Sequence, residues 1–201
     1  MKALMILLVL TLLNANAYAA KAKGNFFDEL DPRSPDIEKT LKEMDADYER
    51  TTGNSAHLEV DALEALLPSC YRNSCRIWAD VDKNAQRLYL YIDGALTYTW
   101  KTSTGREGYG TPDMDTHPDG RIYDRYTSTK YPDGDYNGLG NMPYAVFIEG
   151  GYAIHGTTRG NWGKLGTPAS HGCVRLHPDN GQIFNQLVRK NGIYNVWVTV
   201  Y

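Results

Sequence analysis

The chain has no excess of charge of one sign, and after residue 13 it has no long apolar run. Its 201 residues carry 21 Lys and Arg against 24 Asp and Glu, a formal net charge of −3. We expect no nucleic-acid partner, because affinity for a phosphate backbone depends on an excess of basic side chains. Without a later apolar run we also expect no stable membrane insertion. The length suffices for one domain with a full hydrophobic core.

Cysteine is scarce, and its three copies are unevenly placed. Cys70 and Cys75 lie close together in the chain, whereas Cys173 stands alone. The close pair could form a disulfide in an oxidising compartment, or both thiols could remain unbonded. A zinc-finger pattern is excluded because there is no second close pair. If the pair is a disulfide, Cys173 is the odd cysteine, as expected of a thiol that must stay reduced to react.

The first 19 residues have the pattern of a signal peptide. Lys2 precedes an apolar run over residues 3–13, and the motif Ala17-Tyr18-Ala19 is typical of a cleavage site. The run is too short to cross the ~30 Å hydrocarbon core of a bilayer as a helix. We therefore expect an exported protein, located first of all in the periplasm, with the extracellular space as the second expectation. An uncleaved anchor is the alternative interpretation.

Residues 20–75 are predicted to form a polar leader and a short helical segment. Ser34 can cap a helix, and Ile37, Leu41 and Met44 recur at helical spacing. A second short helix is predicted over residues 58–67, where a proline ends it. This segment could be a small cap on the catalytic domain or a partner-binding arm, and composition and pattern do not decide between them.

From residue 76 onwards, apolar residues recur at every second position, as in a β-strand, and no longer at helical spacing. Leu88, Leu90 and Ile92 alternate with tyrosines, and Asp93-Gly94 is typical of a hairpin turn. The next stretch, residues 101–141, is rich in Gly, Pro, Asp and Tyr and lacks a clear period. So long a loop region inside a compact domain is usually functional.

The C-terminal elements are predicted in the same way. A second hairpin is expected over residues 144–155, a strand over 172–176 and a last strand over 196–200. Between the last two strands a helix should open after His177, with Asp179 as its cap and Gly192 as its end. The predicted architecture is a mostly β domain over residues 76–201 with one packed helix, preceded by the short helical N-terminal segment.

Residues with catalytic chemistry are concentrated between positions 152 and 176. His155 ends an apolar run, and His171 stands two residues before Cys173 in a Gly-flanked turn. A thiol is a strong nucleophile only as the thiolate, and a nearby imidazole is the usual group that removes its proton. Gly172 allows a tight turn that leaves the sulfur open to a substrate. We therefore predict that Cys173, His155 and His171 are catalytic, against the simpler interpretation of a structural cysteine.

One long motif joins these candidates. In chain order it consists of His155-Gly156 and then, after a Gly-rich connection, Ser170-His171-Gly172-Cys173-Val174-Arg175. The motif resembles the signature of the YkuD-type L,D-transpeptidases, bacterial cysteine enzymes that remodel peptidoglycan. Further similarity lies in the hairpin over residues 87–112 and in Met142-Pro143-Tyr144. The resemblance covers residues 76–201 and implies a YkuD-like catalytic domain, a β-sandwich or barrel-like fold.

The resemblance implies chemistry on peptidoglycan stem peptides through a thioester. Cys173 would attack the carbonyl at the L-centre of the third residue of a tetrapeptide stem and release D-Ala. His155, oriented by a main-chain carbonyl near Gly156, would be the general base, and His171 would assist the proton transfer or fix the turn. An amine acceptor would give a 3→3 cross-link, and water, a D-amino acid or a lipoprotein is the alternative acceptor. No cofactor is implied.

The resemblance also implies roles for neighbouring residues. The backbone N–H groups of Gly172 and Cys173 would bind the oxyanion, and Ser170 would support the loop. Arg175 would favour the thiolate or hold a substrate carboxylate. The loop region over 101–141 would form a lid over the cleft. The candidate substrate-facing aromatics are Tyr131, Tyr136 and Tyr144.

Three other interpretations belong to different classes. A sortase-like transpeptidase uses His, Cys and Arg in the same order but usually has a membrane anchor and another motif around its cysteine. A non-catalytic cell-wall-binding module is opposed by the full set of catalytic residue types. A zinc site could be assembled from His155, His171, Cys173 and His177, although their spacing is irregular. The acidic run over residues 113–119 lacks the ligand order of an EF-hand loop, so we predict no metal.

Overall fold

The structure is a computed structural model, and it describes residues 30–60, 69–126 and 134–201. The predicted signal peptide, the larger part of the second predicted helix and Tyr131 lie outside the described residues. Within the described ranges, no helix is long and apolar enough to cross a membrane.

Two β-sheets form the body of the protein, which confirms the mostly β prediction. One sheet has five strands in the order β3-β2-β1-β8-β4, and the other has three strands in the order β5-β6-β7. The strands are β1 (Ile77–Asp82), β2 (Arg87–Ile92), β3 (Ala95–Lys101), β4 (Met114–Thr116), β5 (Val146–Glu149), β6 (Tyr152–Gly156), β7 (Val174–Leu176) and β8 (Val196–Val200).

The five-stranded sheet is built on the predicted hairpin. Asp93 and Gly94 both have positive φ, 47° and 79°, as the tight turn between two twisted strands requires. β1 pairs antiparallel with β2 and parallel with β8. In its described part, the predicted loop region contains a strand that the sequence did not indicate. This strand, β4, pairs with β8, and its three residues are too few to show a period.

The three-stranded sheet combines an antiparallel and a parallel pair. β5 and β6 form the second predicted hairpin, and β6 pairs in parallel with β7. The helix α2 (Pro178–Asn191) follows and packs on β6. Its predicted cap was wrong, because the side chain of His177 accepts the N–H of Asp179 at 3.4 Å and so occupies the capping position. Gly192 ends the helix as predicted.

Each face of the three-stranded sheet covers its own hydrophobic core. The larger core lies between the two sheets and α2 and includes Ile154 and Val174. The smaller core lies on the opposite face, where α1 (Ile37–Thr52) buries Leu41, Met44 and Tyr48. The first predicted helix is therefore confirmed, and it packs on the sheet that carries the predicted catalytic residues. The predicted Ser34 cap was wrong, because the helix begins at Ile37 and Asp36 occupies the capping position.

The start of the second predicted helix was wrong. Residues 58–60 are not helical, and His57 forms an isolated β-bridge with Arg121. The N–H of Leu58 donates to the carbonyl of Gly120 at 2.9 Å, so this stretch follows a neighbouring chain segment instead of coiling on itself.

The two close cysteines form a disulfide. Cys70 and Cys75 are bonded, with their Cα atoms 4.9 Å apart, and Cys173 is outside this bond. The loop they close is fastened to β4 through Asp115, which accepts hydrogen bonds from Tyr71 at 3.1 Å and from Arg72 at 2.9 Å. A third partner, the indole N–H of Trp197 on β8, donates to the same carboxylate at 2.6 Å.

Candidate active site

The parallel pairing of β6 and β7 places His155 and Cys173 on one face of the sheet. His155 is in register with Arg175, and Cys173 lies two residues before Arg175. Because side chains alternate between faces along a strand, Cys173 shares the face of Arg175 and His155. The two hydrophobic cores are consistent with this assignment. Cys173 belongs to the smaller core, whereas the adjacent residues Ile154 and Val174 belong to the larger core on the opposite face. Cys173 shares its hydrophobic core with Ala153, which lies on the His155 face of β6, so the predicted nucleophile and base lie on the same side of the sheet.

His155 is fully buried, and its ring orientation is fixed by the backbone. Nδ1 lies 2.7 Å from the carbonyl oxygen of Gly156. A carbonyl oxygen only accepts, so the hydrogen of the neutral ring is on Nδ1 and Nε2 is the basic nitrogen. The N–H of Gly156 in turn donates to the carbonyl of Pro143 at 2.8 Å. A main-chain carbonyl thus orients the histidine, as the resemblance implied.

Ser170 closes the turn that carries Cys173. Its hydroxyl donates to the carbonyl of Cys173 at 2.6 Å and accepts the N–H of Gly172 at 3.0 Å. Gly172 has φ +124°, a conformation that L side chains rarely adopt, so the glycine is required for this turn. The supporting position predicted for Ser170 is thus observed. The N–H of Gly172, predicted to bind the oxyanion, donates to Ser170 in this structure.

A threonine that the sequence analysis did not single out holds the same turn from outside. The hydroxyl of Thr111 donates to the carbonyl of Gly172 at 2.7 Å and accepts the N–H of Gly105 at 2.9 Å. It therefore joins the nucleophile turn to the loop after β3. The sequence carried one signal for this residue, since Thr111 lies within the hairpin segment that resembled the family.

Cys173 is only 1% exposed, and its thiol donates to the carbonyl of Gly151 at 3.6 Å. His171, two residues earlier, is also buried and packs edge-on against Tyr109, with 4.8 Å between ring centroids. Tyr109 in turn lies beneath the guanidinium of Arg106, whose Cζ is 4.4 Å from the ring centre. Tyr109 was not predicted, because nothing in a Gly-rich loop indicates which tyrosine contacts the histidine.

Arg175 is only 1% exposed, and its side chain bonds to the backbone inside the site. Its guanidinium donates to the carbonyl of Ala169 at 2.9 Å. Its backbone exchanges hydrogen bonds of 2.9 and 3.0 Å with Ser103, which ties β7 to the loop after β3. Its contact with a substrate stays a prediction.

The two described candidate aromatics lie near the entry to α2 and β5. The hydroxyl of Tyr136 donates to Asp179 at 3.4 Å, and its ring centroid is 6.4 Å from that of Trp162. Tyr144 is half-buried, and its N–H donates to the carbonyl of Asp124 at 2.9 Å. Burial raises the pKa of the Tyr144 hydroxyl. Their role towards a substrate, like that of Tyr131, stays a prediction.

The zinc interpretation finds no support in the arrangement of its proposed ligands. Among the described residues, no three or more His, Cys, Asp and Glu side chains are grouped to hold a metal ion. His177 is engaged at the start of α2 and packs against Trp162, with 4.4 Å between ring centroids.

Comparison with known proteins agrees with the motif. The model of the YkuD family, the L,D-transpeptidase catalytic domain, matches residues 76–198. No curated protein sequence matches the chain. Among solved structures, an L,D-transpeptidase from Mycobacterium smegmatis is 21% identical, with a TM-score of 0.51, over 64% of this chain and 59% of that chain.

Two further solved structures have a similar sequence identity and TM-score. L,D-transpeptidase 3 from Mycobacterium tuberculosis is 20% identical with a TM-score of 0.48, over 64% of this chain and 62% of that chain. An L,D-transpeptidase from Xylanimonas cellulosilytica is 23% identical with a TM-score of 0.47, over 70% of this chain and 67% of that chain. The chain thus spans about three fifths of the first two of these structures. The family match covers more than half of the sequence, and the chain belongs to the YkuD family of L,D-transpeptidase catalytic domains.

Proposed function

We propose that the protein is a peptidoglycan L,D-transpeptidase with Cys173 as nucleophile and His155 as general base. The observation that carries this proposal is the register of β6 and β7, which puts both side chains on one face of the sheet. The hydrogen bond from His155 to Gly156 supports it, since it leaves Nε2 as the nitrogen that can take a proton. Family membership supports the reaction class.

In the first step, Nε2 of His155 removes the thiol proton and the sulfur attacks the carbonyl carbon of the third stem residue. The bond from that carbon to the nitrogen of D-Ala breaks. His155 returns its proton to the leaving nitrogen, so D-Ala departs as an amine and the stem remains bound to Cys173 as a thioester. Burial of both groups excludes water and strengthens each polar contact within the site.

The oxyanion of each tetrahedral intermediate needs a donor near Cys173. Since the N–H of Gly172 is directed at Ser170, we assign this role to the backbone N–H of Cys173 itself. One such donor contributes about 3 kcal/mol to transition-state stabilisation in related chemistry. His171 is assigned to holding the turn, because it packs against Tyr109.

In the second step, an amine of an acceptor stem attacks the thioester carbonyl and the thiol leaves, which yields a 3→3 cross-link. Water in place of the amine gives L,D-carboxypeptidase activity, a D-amino acid gives exchange, and a lipoprotein lysine gives attachment. All four outcomes use the same acyl-enzyme. A cell-wall-binding module without catalysis is the alternative from a different class.

The proposed location is the periplasm, with the extracellular space as the alternative. The signal-peptide pattern of the first 19 residues supports export. The disulfide between Cys70 and Cys75 accords with an oxidising compartment, where such bonds persist.

The test is incubation of tetrapeptide-rich muropeptides with the protein and with Cys173→Ala, followed by mass spectrometry. We expect dimers joined through two third-position residues, absent with Cys173→Ala and reduced at least 100-fold with His155→Gln. Tripeptide products alone would identify trimming as the main activity. If both proteins leave the muropeptides unchanged, the cross-linking proposal for these substrates is wrong.

A further inference from the structure

A short segment of the N-terminal third lies against the residues that surround the nucleophile. This cover segment, Leu30–Arg33, immediately precedes the turn into α1, and both Leu30 and Pro32 are buried. Neither residue belongs to the part of the chain that matches the family model. The cover segment is therefore an addition to the catalytic domain, and its position bears on access to Cys173.

Pro32 touches both glycines that flank the thiol. A Cβ built on Gly172, the residue before the nucleophile, would stand 3.4 Å from Cδ of Pro32. A Cβ built on Gly151, whose carbonyl accepts the thiol hydrogen, would stand 2.9 Å from Cα of Pro32. Gly151 thus lets the cover segment approach more closely than a larger residue would allow, whereas Pro32 lies at van der Waals distance from the Gly172 position.

The cover segment also reaches the aromatic groups of the site. The Cζ atom of Arg33 lies 4.7 Å from the ring centre of Tyr109, the residue that packs against His171. Leu30, 4% exposed, belongs to the same hydrophobic cluster as Cys173. Tyr152 is next to both the nucleophile turn and the cover segment, because a Cβ built on Gly172 would stand 3.0 Å from Cε1 of Tyr152 and 3.4 Å from Pro32. Burial raises the pKa of the Tyr152 hydroxyl.

This arrangement blocks the chemistry that the site is proposed to perform. Attack on a carbonyl requires that carbon to come within roughly 3–3.5 Å of the nucleophile. Cys173 is 1% exposed, so a tetrapeptide stem has no room at the sulfur while the cover segment is in place.

The contacts that hold the cover segment differ from those that hold most of the helix after it. α1 is held separately by three buried side chains, Leu41, Met44 and Tyr48, and by the ion pair of Asp45 with Arg121. The cover segment is held chiefly by Leu30 and Pro32, and its own turn bond, from the N–H of Ser34 to the carbonyl of Asp31 at 3.1 Å, moves with it. Local opening of so small a unit costs far less than global unfolding.

We propose that the cover segment occupies the seat of the donor stem and inhibits Cys173 until it is displaced. The seat is formed by Gly151, Tyr152, Gly172 and Tyr109. The identity of the displacing ligand as a stem peptide rests on the proposed function, whereas the blocking of the thiol does not.

The test is the rate at which iodoacetamide alkylates Cys173, followed by mass spectrometry of the native protein. Three proteins are compared: the chain from residue 20, the same chain shortened to start at Ser34, and the chain from residue 20 with Leu30→Ser. The matched control is Asp36→Asn, which changes an exposed side chain that makes no cap hydrogen bond. Far-UV circular dichroism and thermal unfolding verify that each protein is folded at the assay temperature.

We expect alkylation at least 10-fold faster for the shortened chain, several-fold faster for Leu30→Ser and unchanged for Asp36→Asn. If the shortened chain does not fold, the alkylation rate of the Leu30→Ser protein alone tests the proposal. Equal rates in all folded proteins would overturn the proposal. Because alkylation needs no peptidoglycan, faster alkylation with no muropeptide product would retain the cover segment and reject the proposed function. Equal alkylation rates together with cross-linked product would reject the cover segment and retain the proposed function.

Discussion

Arg121 and Asp45 form a two-point ion pair between the catalytic domain and the N-terminal helix. Nε of Arg121 lies 2.8 Å from one carboxylate oxygen of Asp45, and Nη2 lies 3.1 Å from the other. The two side chains are only 13% and 17% exposed, and the Tyr123 hydroxyl also donates to Asp45. α1 is therefore fastened to the fold by a buried polar contact as well as by its apolar face.

We expect Asp45→Asn to destabilise the protein by about 3 kcal/mol, because it removes the closer of the two carboxylates that pair with the partly buried Arg121. Urea unfolding at neutral pH measures the change. The matched control is Glu43→Gln on the same helix, whose exposed pair with Lys39 should contribute less than about 0.5 kcal/mol. Similar small effects for both variants would contradict a structural role for the ion pair.

The same contact should be sensitive to acid. Burial alone would raise the pKa of Asp45, but hydrogen bonds from Arg121 and Tyr123 and the charge of Arg121 hold it below 3.8. A lowered pKa in the folded state means that the ionised carboxylate stabilises the protein above this value and that the contribution is lost as the pH falls through the folded pKa. The stability difference between the protein and Asp45→Asn should therefore be constant near neutrality and shrink below about pH 4.

The difference between the two proteins is the quantity to measure, because a neighbour titrates in the opposite direction. Burial raises the pKa of Asp119, which also contacts Arg121, so total stability mixes two opposing effects. A difference that stays constant down to pH 3 would contradict the assignment to Asp45.

Gly181→Ala should destabilise the protein by about 1–3 kcal/mol, although alanine normally stabilises a helix by about 1 kcal/mol relative to glycine. A Cβ at Gly181 of α2 would stand 2.8 Å from the backbone nitrogen of Gly156. The strand that carries His155 would have to shift, so kcat should fall as well. Gln186→Ala, at an exposed position of the same helix, should change stability by less than about 0.5 kcal/mol. A more stable Gly181→Ala protein would show that helix and strand are less closely packed.

Loss of the disulfide should cost about 2 kcal/mol, because the bond between Cys70 and Cys75 closes only a short loop. The double variant Cys70→Ser with Cys75→Ser, unfolded in urea, measures this cost. Mild reduction of the unchanged protein should give the same value. If the double variant is as stable as the oxidised protein, the hydrogen bonds at Asp115 suffice to hold the loop.

The sequence predicted the elements that have a period and the residues that form a motif. Leu88 and Leu90 identified a strand by alternation, and Leu41 and Met44 identified α1 by helical spacing. The order of His155 and Cys173 in the motif indicated the family, which the family match confirms. These features are local, so they can be read along the chain.

The remaining features of the site depend on contacts between distant residues. Thr111 holds the carbonyl of Gly172 across 61 positions, and Tyr109 meets His171 from an irregular loop. Neither contact leaves a periodic signal. The use of the Gly172 N–H by Ser170 was missed for a different reason, since a hydroxyl beside a turn can bond to several backbone groups and only coordinates decide which.

Because side chains alternate between the two faces of β6, this strand can tolerate only certain insertions and deletions. One residue gained or lost between Tyr152 and His155 would exchange the two faces of the strand and turn the imidazole into the core between the sheets. Two residues would restore the face. Viable length changes in this part of the sequence should therefore come in even numbers, whereas the turn at Glu149–Gly151 lies outside this constraint.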